Sequence, residues 1–246
     1  MRLVSFDVGK NNLAIYVEEL DLESLSKLRK KDVNEIAITG RQIHSSVSDL
    51  CNGEKTLTID TRRRILSHLS GLREILEDCS YVIVEQQYFR TWAGRGRKGR
   101  GTEANVDAIK IGELIIGWFL DNYIFADVRY FGSKYKTSVF GAKKMSKPAR
   151  KQWAIVKARE LYKQRRKANS EEAWMTRIYR LADKVRRKRM NQEKALGYLE
   201  PFRESPTYIQ TLAEQVIWKQ KLDDISDAFL QAQAFKVVHL TLLKGK

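Results

Sequence analysis

"RLVSFDVGKNNLAIYVE" (residues 2–18) decides how the rest of the chain is read. Leu3, Val4 and Phe6 read as a buried strand, and Leu13, Ile15 and Val17 as a second one beyond the "GKNN" turn. Gly9, Asn11 and Asn12 are residues that tolerate positive φ in a tight hairpin. Asp7 stands between the two apolar runs, where an uncompensated buried charge is costly. Either it caps the turn through its side chain, or it is placed at the end of a core strand for its chemistry.

The remaining composition favours a particular class of partner. With 246 residues and 43% hydrophobic side chains, the chain is long and apolar enough for a single large domain, 1–246. Its net charge of +16 favours a polyanion, with nucleic acid ahead of a membrane surface. Two cysteines make neither a disulfide scaffold nor a zinc cluster, and the three histidines are too scattered for a metal site. Asp7 interrupts any apolar leader, and the most apolar stretch, "IKIGELIIGWFLDNYIFA", contains Glu113 and Asp121 and is too short to cross a bilayer. A soluble, intracellular protein with no membrane partner is expected.

Periodicity predicts an α/β order. After the hairpin, "EIAITGRQIH" (35–44) reads as a third strand, and "TLTIDTRRRILSHLSGLREILED" (56–78) as one helix with Ile65, Leu69 and Leu72 on a single face. "SYVIVEQQ" (80–87) is a continuous apolar run that suits a buried parallel strand. A helix over 103–123 and a fifth strand in "IFADVRYF" follow. From about 143 to 219 the chain is basic and helical; Trp174, Ile178, Leu181 and Val185 recur at helical spacing, while Arg177, Arg180, Lys184, Arg187 and Lys188 crowd the remaining surface. The last helix is predicted over 224–243. The hairpin start implies a mixed sheet with helices packed on it.

Three further acids share the position of Asp7 at the boundary of a buried element. Glu85 ends "YVIVE", and Asp224 and Asp227 lie three apart in "KLDDISDAF", on one helical face. Each has a plainer reading: Glu85 as a solvated strand end, the Asp pair as a helix start favoured by the dipole. If the first and fourth strands are neighbours, all four meet. Two carboxylates about 5 Å apart repel by roughly 3 kcal/mol at an effective dielectric near 20, so the cluster needs protons or divalent cations. Oxygen-only ligands suit Mg²⁺ or Mn²⁺ and not zinc. Two such ions can activate water against a phosphodiester, which agrees with the polyanionic partner.

"SFDVGKNNLA", "VIVEQQ" and "KLDDISDAF" resemble the three acidic motifs of RuvC-type Holliday junction resolvases, most of all the poxvirus-like and mitochondrial branches. The resemblance covers roughly 1–18, 80–160 and 219–236. It implies a ribonuclease H-like five-stranded mixed sheet with flanking helices. It also implies a homodimer that makes paired, symmetric nicks in four-way or branched DNA with two Mg²⁺ or Mn²⁺ ions per site, and it hints at a large DNA virus as the source. Carried over, Asp7, Glu85, Asp224 and Asp227 become metal ligands and catalytic residues. "YKTSVFG" supplies a catalytic lysine, Lys136, and "RKQWAIVKA" a second functional lysine, Lys151. Compared with a compact resolvase, about 165–215 looks like a basic helical insertion, and the loop after Glu85 is unusually rich in Arg and Gly.

In that loop, Phe89 and Trp92 could stack on unpaired bases, and Arg90, Arg95, Arg97, Lys98 and Arg100 contact phosphates. The plainer reading is a solvated loop with Trp92 in the core. Trp153, Trp174 and Trp218 are expected in the core. Gly112 and Gly117, on a helix where glycine costs about 1 kcal/mol, suit close packing on the sheet or at a dimer interface. Two other functions stay open: a ribonuclease H-like nuclease acting on RNA–DNA hybrids, and a non-catalytic binder of branched nucleic acid.

Overall fold

The computed structural model describes residues 1–9, 11–54, 56–87, 106–142, 145–165, 170–187, 190–218 and 221–241, with the side chains of 170–172 excepted. Strand β1 (Arg2–Val8) pairs antiparallel with β2 (Leu13–Glu19) in the register Val8↔Leu13. Two short helices, α1 (Leu22–Lys27) and α2 (Val33–Ile38), lead to β3 (Arg41–Ser48), antiparallel to β2. Helices α3 (Ile59–Gly71) and α4 (Arg73–Leu76) precede β4 (Cys79–Gln86), which runs parallel to β1; α5 (Val106–Asn122) and β5 (Asp127–Gly132) complete the sheet in the order β3-β2-β1-β4-β5. This is the mixed five-stranded sheet that the ribonuclease H-like resemblance implies. The helical part comprises α6 (Lys134–Val139), α7 (Lys147–Arg165), α8 (Ser170–Arg187), α9 (Gln192–Leu199), a 3-10 turn (Glu200–Phe202), α10 (Thr207–Trp218) and α11 (Leu222–Val238).

Strand alternation divides the core in two. Val4, Phe6, Leu13, Ile15, Val17, Val82 and Val84 face α3 and α5. Leu3, Ala14, Tyr16 and Ile83 face α11 and the helices behind it. Met175, Ile178, Tyr179, Ile209 and Leu212 belong to this second core, so the segment expected as an insertion at about 165–215 packs on the sheet face rather than standing apart from it.

The second core also encloses charge. Glu18, on the α11 side of β2, is fully buried and accepts from Lys236 at 2.5 Å, Tyr16 at 2.6 Å, Gln233 at 2.8 Å and Arg165 at 3.0 Å. The cations reach further: Arg165 donates to the Ala37 carbonyl at 2.7 Å, and Lys236 to the Thr39 carbonyl at 2.6 Å. Both carbonyls lie at the C-terminus of α2, where positive charge is favoured. Burial alone would raise the Glu18 pKa, but Arg165 and Lys236 bring it down to about 2; burial likewise depresses Lys236 to about 8.

This cluster explains a correction. The alternation in "EIAITGRQIH" predicts a strand over 35–44, whereas residues 33–38 are helical and β3 starts at Arg41. Gly40 makes the break: it has φ +91°, and a Cβ there would lie 2.6 Å from a Glu18 carboxylate oxygen. The helix before it is held by cations from residues 165 and 236, which no local pattern reveals. Three smaller differences follow. The helix expected over 56–78 is broken at Leu72 into α3 and α4. Trp218 is 55% exposed rather than in the core, while Trp153 and Trp174 pack against it. Gly9 and Asn12 do not have positive φ; glycine suits position 9 because a Cβ there would lie 3.0 Å from the Asn12 carbonyl oxygen, a tight contact.

Replacing Glu18 by Gln leaves two buried cations without their anion, and should lower unfolding free energy by about 3–5 kcal/mol. Because the Glu18 pKa is depressed, its contribution is present above pH ~4.5 and fades as the pH falls toward about 2. The wild-type and E18Q denaturation curves should therefore converge over that interval. A constant difference across it would contradict this account.

Candidate active site

Parallel register places the first two acids side by side. Phe6 is aligned with Val84, so Asp7 and Glu85 follow as neighbours at the C-terminal ends of β1 and β4. Parity turns both toward α11, the side shared by Leu3 on β1 and Ile83 on β4. The plainer reading of Glu85 as a solvated strand end does not hold, since its side chain is only 13% exposed. α11 crosses the same sheet face, fixed to β1 by Gln231, which donates to the Phe6 carbonyl at 3.2 Å. One helical turn earlier, Asp227 reaches the strand ends.

Lys136, from α6, joins these acids. Its side chain is 7% exposed, and its Nζ lies 3.2 Å from Glu85 Oε1 and 3.0 Å from Asp227 Oδ1. Asp7 lies against Glu85, so a proton on Asp7 would hydrogen-bond the two carboxyls. Gln87 donates to the other Glu85 oxygen at 2.9 Å. Burial, followed by the Glu85 charge, pushes the Asp7 carboxyl well above the usual range. Burial acts on Glu85 in the same direction, but Lys136 and the hydrogen bonds outweigh it and keep this carboxylate below its ordinary value. Of the two, Asp7 is therefore the carboxyl whose ionised form is disfavoured, and Glu85 the one whose ionised form is favoured. Asp227 is raised by burial, with Lys136 opposing. Lys136 itself is penalised by burial, yet Glu85, Asp227 and Asp7 hold its pKa above normal.

Asp224 lies one turn before Asp227, at the edge of the cluster. Burial, then repulsion from Asp223, raises its pKa to about 6, and its Oδ2 is buried with no hydrogen-bond partner among the described residues. Lys151 pairs with Asp223. Of the expected site residues, the structure thus gathers Asp7, Glu85, Asp227 and Lys136, sets Asp224 beside them, and ties Lys151 to the adjoining Asp223. Phe89, Arg90, Trp92, Arg95, Arg97, Lys98 and Arg100 lie outside the described residues. Sequence reasoning passed over Gln87 and Asp223, although each adjoins a motif, in "EQQ" and "LDD".

The donor set fits Mg²⁺ or Mn²⁺. It offers oxygen ligands only, an orphaned carboxylate oxygen on Asp224, and a surplus of negative charge. As the side chains stand, no three described acidic, His or Cys groups close around one ion. The Lys136 ammonium lies between Glu85 and Asp227 and neutralises the charge that a divalent cation would neutralise.

No protein-family model and no curated protein matches the chain. Among solved structures, it is similar to a fowlpox virus resolvase with its Holliday junction DNA, at 16% identity over 96% of this chain and 97% of that one, with a TM-score of 0.46. It is also similar to Thermus thermophilus RuvC, at 13% identity over 65% and 80% of the two chains with a TM-score of 0.42. For the same protein in complex with a Holliday junction substrate, the figures are 13%, 96% and 94%, with a TM-score of 0.43. No described helix is long and apolar enough to cross a membrane.

A crowded carboxylate cluster weakens the metal-free protein. The raised pKa of Asp7 means that its ionisation opposes folding once the pH exceeds about 3.8. In EDTA, Asp7→Asn should be more stable than wild type by about 1–2 kcal/mol, and the gain should grow from pH 5 to pH 8. Thermal melts at the two pH values check this; a variant that melts lower at both would contradict it.

Proposed function

We propose that this protein is a divalent-metal-dependent endonuclease that resolves Holliday junctions or other branched DNA by paired, symmetric nicks. The observation that carries this reading is the convergence of Asp7, Glu85 and Asp227 at one sheet end in a chain of net charge +16. A protein that only bound nucleic acid would gain nothing from buried carboxylates facing phosphates.

Asp7, Glu85, Asp224 and Asp227 would hold two Mg²⁺ or Mn²⁺ ions. When bound, such ions lower the pKa of water and stabilise charge on the attacking and leaving oxygens of the phosphodiester. The chain's own groups prepare the site. Gln87 fixes the Glu85 carboxylate, and Lys136 favours its ionised form, so a strong ligand is ready among largely buried neighbours. Asp7 would act as a ligand in its ionised form, which a bound cation would favour. Lys136, whose ammonium lies between Glu85 and Asp227, would stabilise charge on the transferring phosphate. In the hydrolysis one P–O bond breaks and water supplies the new one.

Symmetric cutting needs two such centres, and a second copy of the chain would supply the other. The outer side of α5 and the turn after it suit this pairing: Leu120 on the helix, and Ile124 and Phe125 just beyond its end, are 58%, 74% and 95% exposed. Gly117, on the same side, has open space where a Cβ would point. Gly112 has another role, since a Cβ there would meet Tyr130 and Val84 at 3.5 Å, so it packs against the sheet.

With Mg²⁺ or Mn²⁺, the purified protein should nick a labelled four-way junction in pairs, and EDTA should stop it. Asp7→Asn and Glu85→Gln should each reduce cutting by at least about 10²-fold while junction binding persists. Cleavage of an RNA–DNA hybrid in place of the junction would replace the substrate, and full cutting by either variant would remove that residue from the site. The double variant L120E/F125E should have a monomeric mass by light scattering where wild type is a dimer; a wild-type monomer, or an unchanged mass, would contradict the interface.

A further inference from the structure

The basic helix α8 carries a feature that the carboxylate site does not use. Arg177, Arg180, Lys184 and Arg187 recur at spacings of three and four, so they form one stripe, and all four are exposed. The opposite side of α8 is core: Met175, Ile178 and Tyr179 are buried. A third side is fixed to α7, through Asp183 on Arg159 and through Arg186, which donates to Gln152 at 2.6 Å. Asp183, the one acid among the described side chains of this helix, is thereby occupied. Among the described residues, no carboxylate lies within ion-pair distance of the four stripe cations. Like charges at these spacings disfavour the helix, and Arg180 and Arg187 have no contact among the described residues that would offset this.

The stripe is also ordered and well placed. Arg177 lies over the Trp174 ring at 4.4 Å and Lys184 over the Tyr198 ring at 5.0 Å, contacts that hold the side chains at the surface. Gln152, which receives Arg186, is next to Lys151, the partner of Asp223 at the start of α11. The Arg187 end of α8 therefore lies at the carboxylate end of the molecule, and the stripe leads away from it. Ten residues of helix extend about 15 Å. That matches about four phosphates of one DNA strand at ~3.4 Å of axial rise each.

We propose that the α8 stripe is a phosphate-backbone track that holds the duplex arm leaving the cut site. The inference deepens the nuclease reading and rests on it for the nature of the polyanion. It assigns a role to the helices at 165–215: they grip an arm by charge, without reading its bases.

Anisotropy of a labelled four-way junction in EDTA, titrated from about 50 to 200 mM salt, tests the track without cleavage. Arg180 and Arg187 are suitable for replacement because neither stem rests on a ring. R180A/R187A should lower the log–log salt slope by about two, near 0.9 per lost phosphate contact, and weaken binding by roughly tenfold or more. R63A, in α3 on the other sheet face, should leave the slope unchanged. The double variant should melt no lower than wild type, which separates lost binding from lost folding. Wild-type slope and affinity in R180A/R187A would overturn the track. Wild-type protein that binds neither junction nor duplex would overturn both the track and the nuclease reading. A wild type that binds in this way yet never cuts would refute the nuclease reading and leave the track intact.

Discussion

The parallel pairing of β1 with β4 is the constraint on which the site depends. Alignment of Phe6 with Val84 sends Asp7 and Glu85 out of the sheet side by side, toward the face that α11 covers. A shift of one residue would turn an acid into the apolar layer of Val82 and Val84. The position of α11 is set at its other end, where Lys236 and Gln233 close on Glu18. Nine residues separate Asp227 from Lys236, about 13 Å of helix. The buried ionic cluster at one end thus fixes where the acidic end falls.

The two charged clusters are opposites in their chemistry. Around Glu18 every carboxylate oxygen is satisfied by a donor within the protein, and the group stays ionised in the absence of water. Around Asp7 the charges are left unbalanced: Lys136 offsets part of the excess, burial disfavours the ionised form of Asp7, and Asp224 keeps an oxygen without a partner among the described residues. The first arrangement stabilises the fold. The second is costly to the fold, and such unbalanced buried charge is commonly found at functional sites.

Much of this was legible in the chain because it depends on local pattern. Alternation and apolar runs located β1, β2, β4 and β5, and the placement of Asp7, Glu85, Asp224 and Asp227 at the limits of buried elements marked them as unusual. What escaped reading depends on distant partners. Residues 35–38 look like strand but form helix, with Arg165 and Lys236 binding the Ala37 and Thr39 carbonyls at its C-terminal end. Lys136 is marked as a catalytic lysine only by the resemblance, and its position between Glu85 and Asp227 is set by the packing of α6 on α11, which no local pattern reveals. Asp223 gave no separate signal beside Asp224, and its pairing with Lys151 emerges only when α7 and α11 meet.

The central claim is that the acids at the end of β1 and β4 form a metal centre. Mn²⁺ binding to the junction-bound protein, followed by electron paramagnetic resonance for wild type and Asp7→Asn, tests it most directly. The account predicts two bound ions per wild-type chain and loss of at least one in the variant. Equal stoichiometry and affinity in both proteins would contradict it.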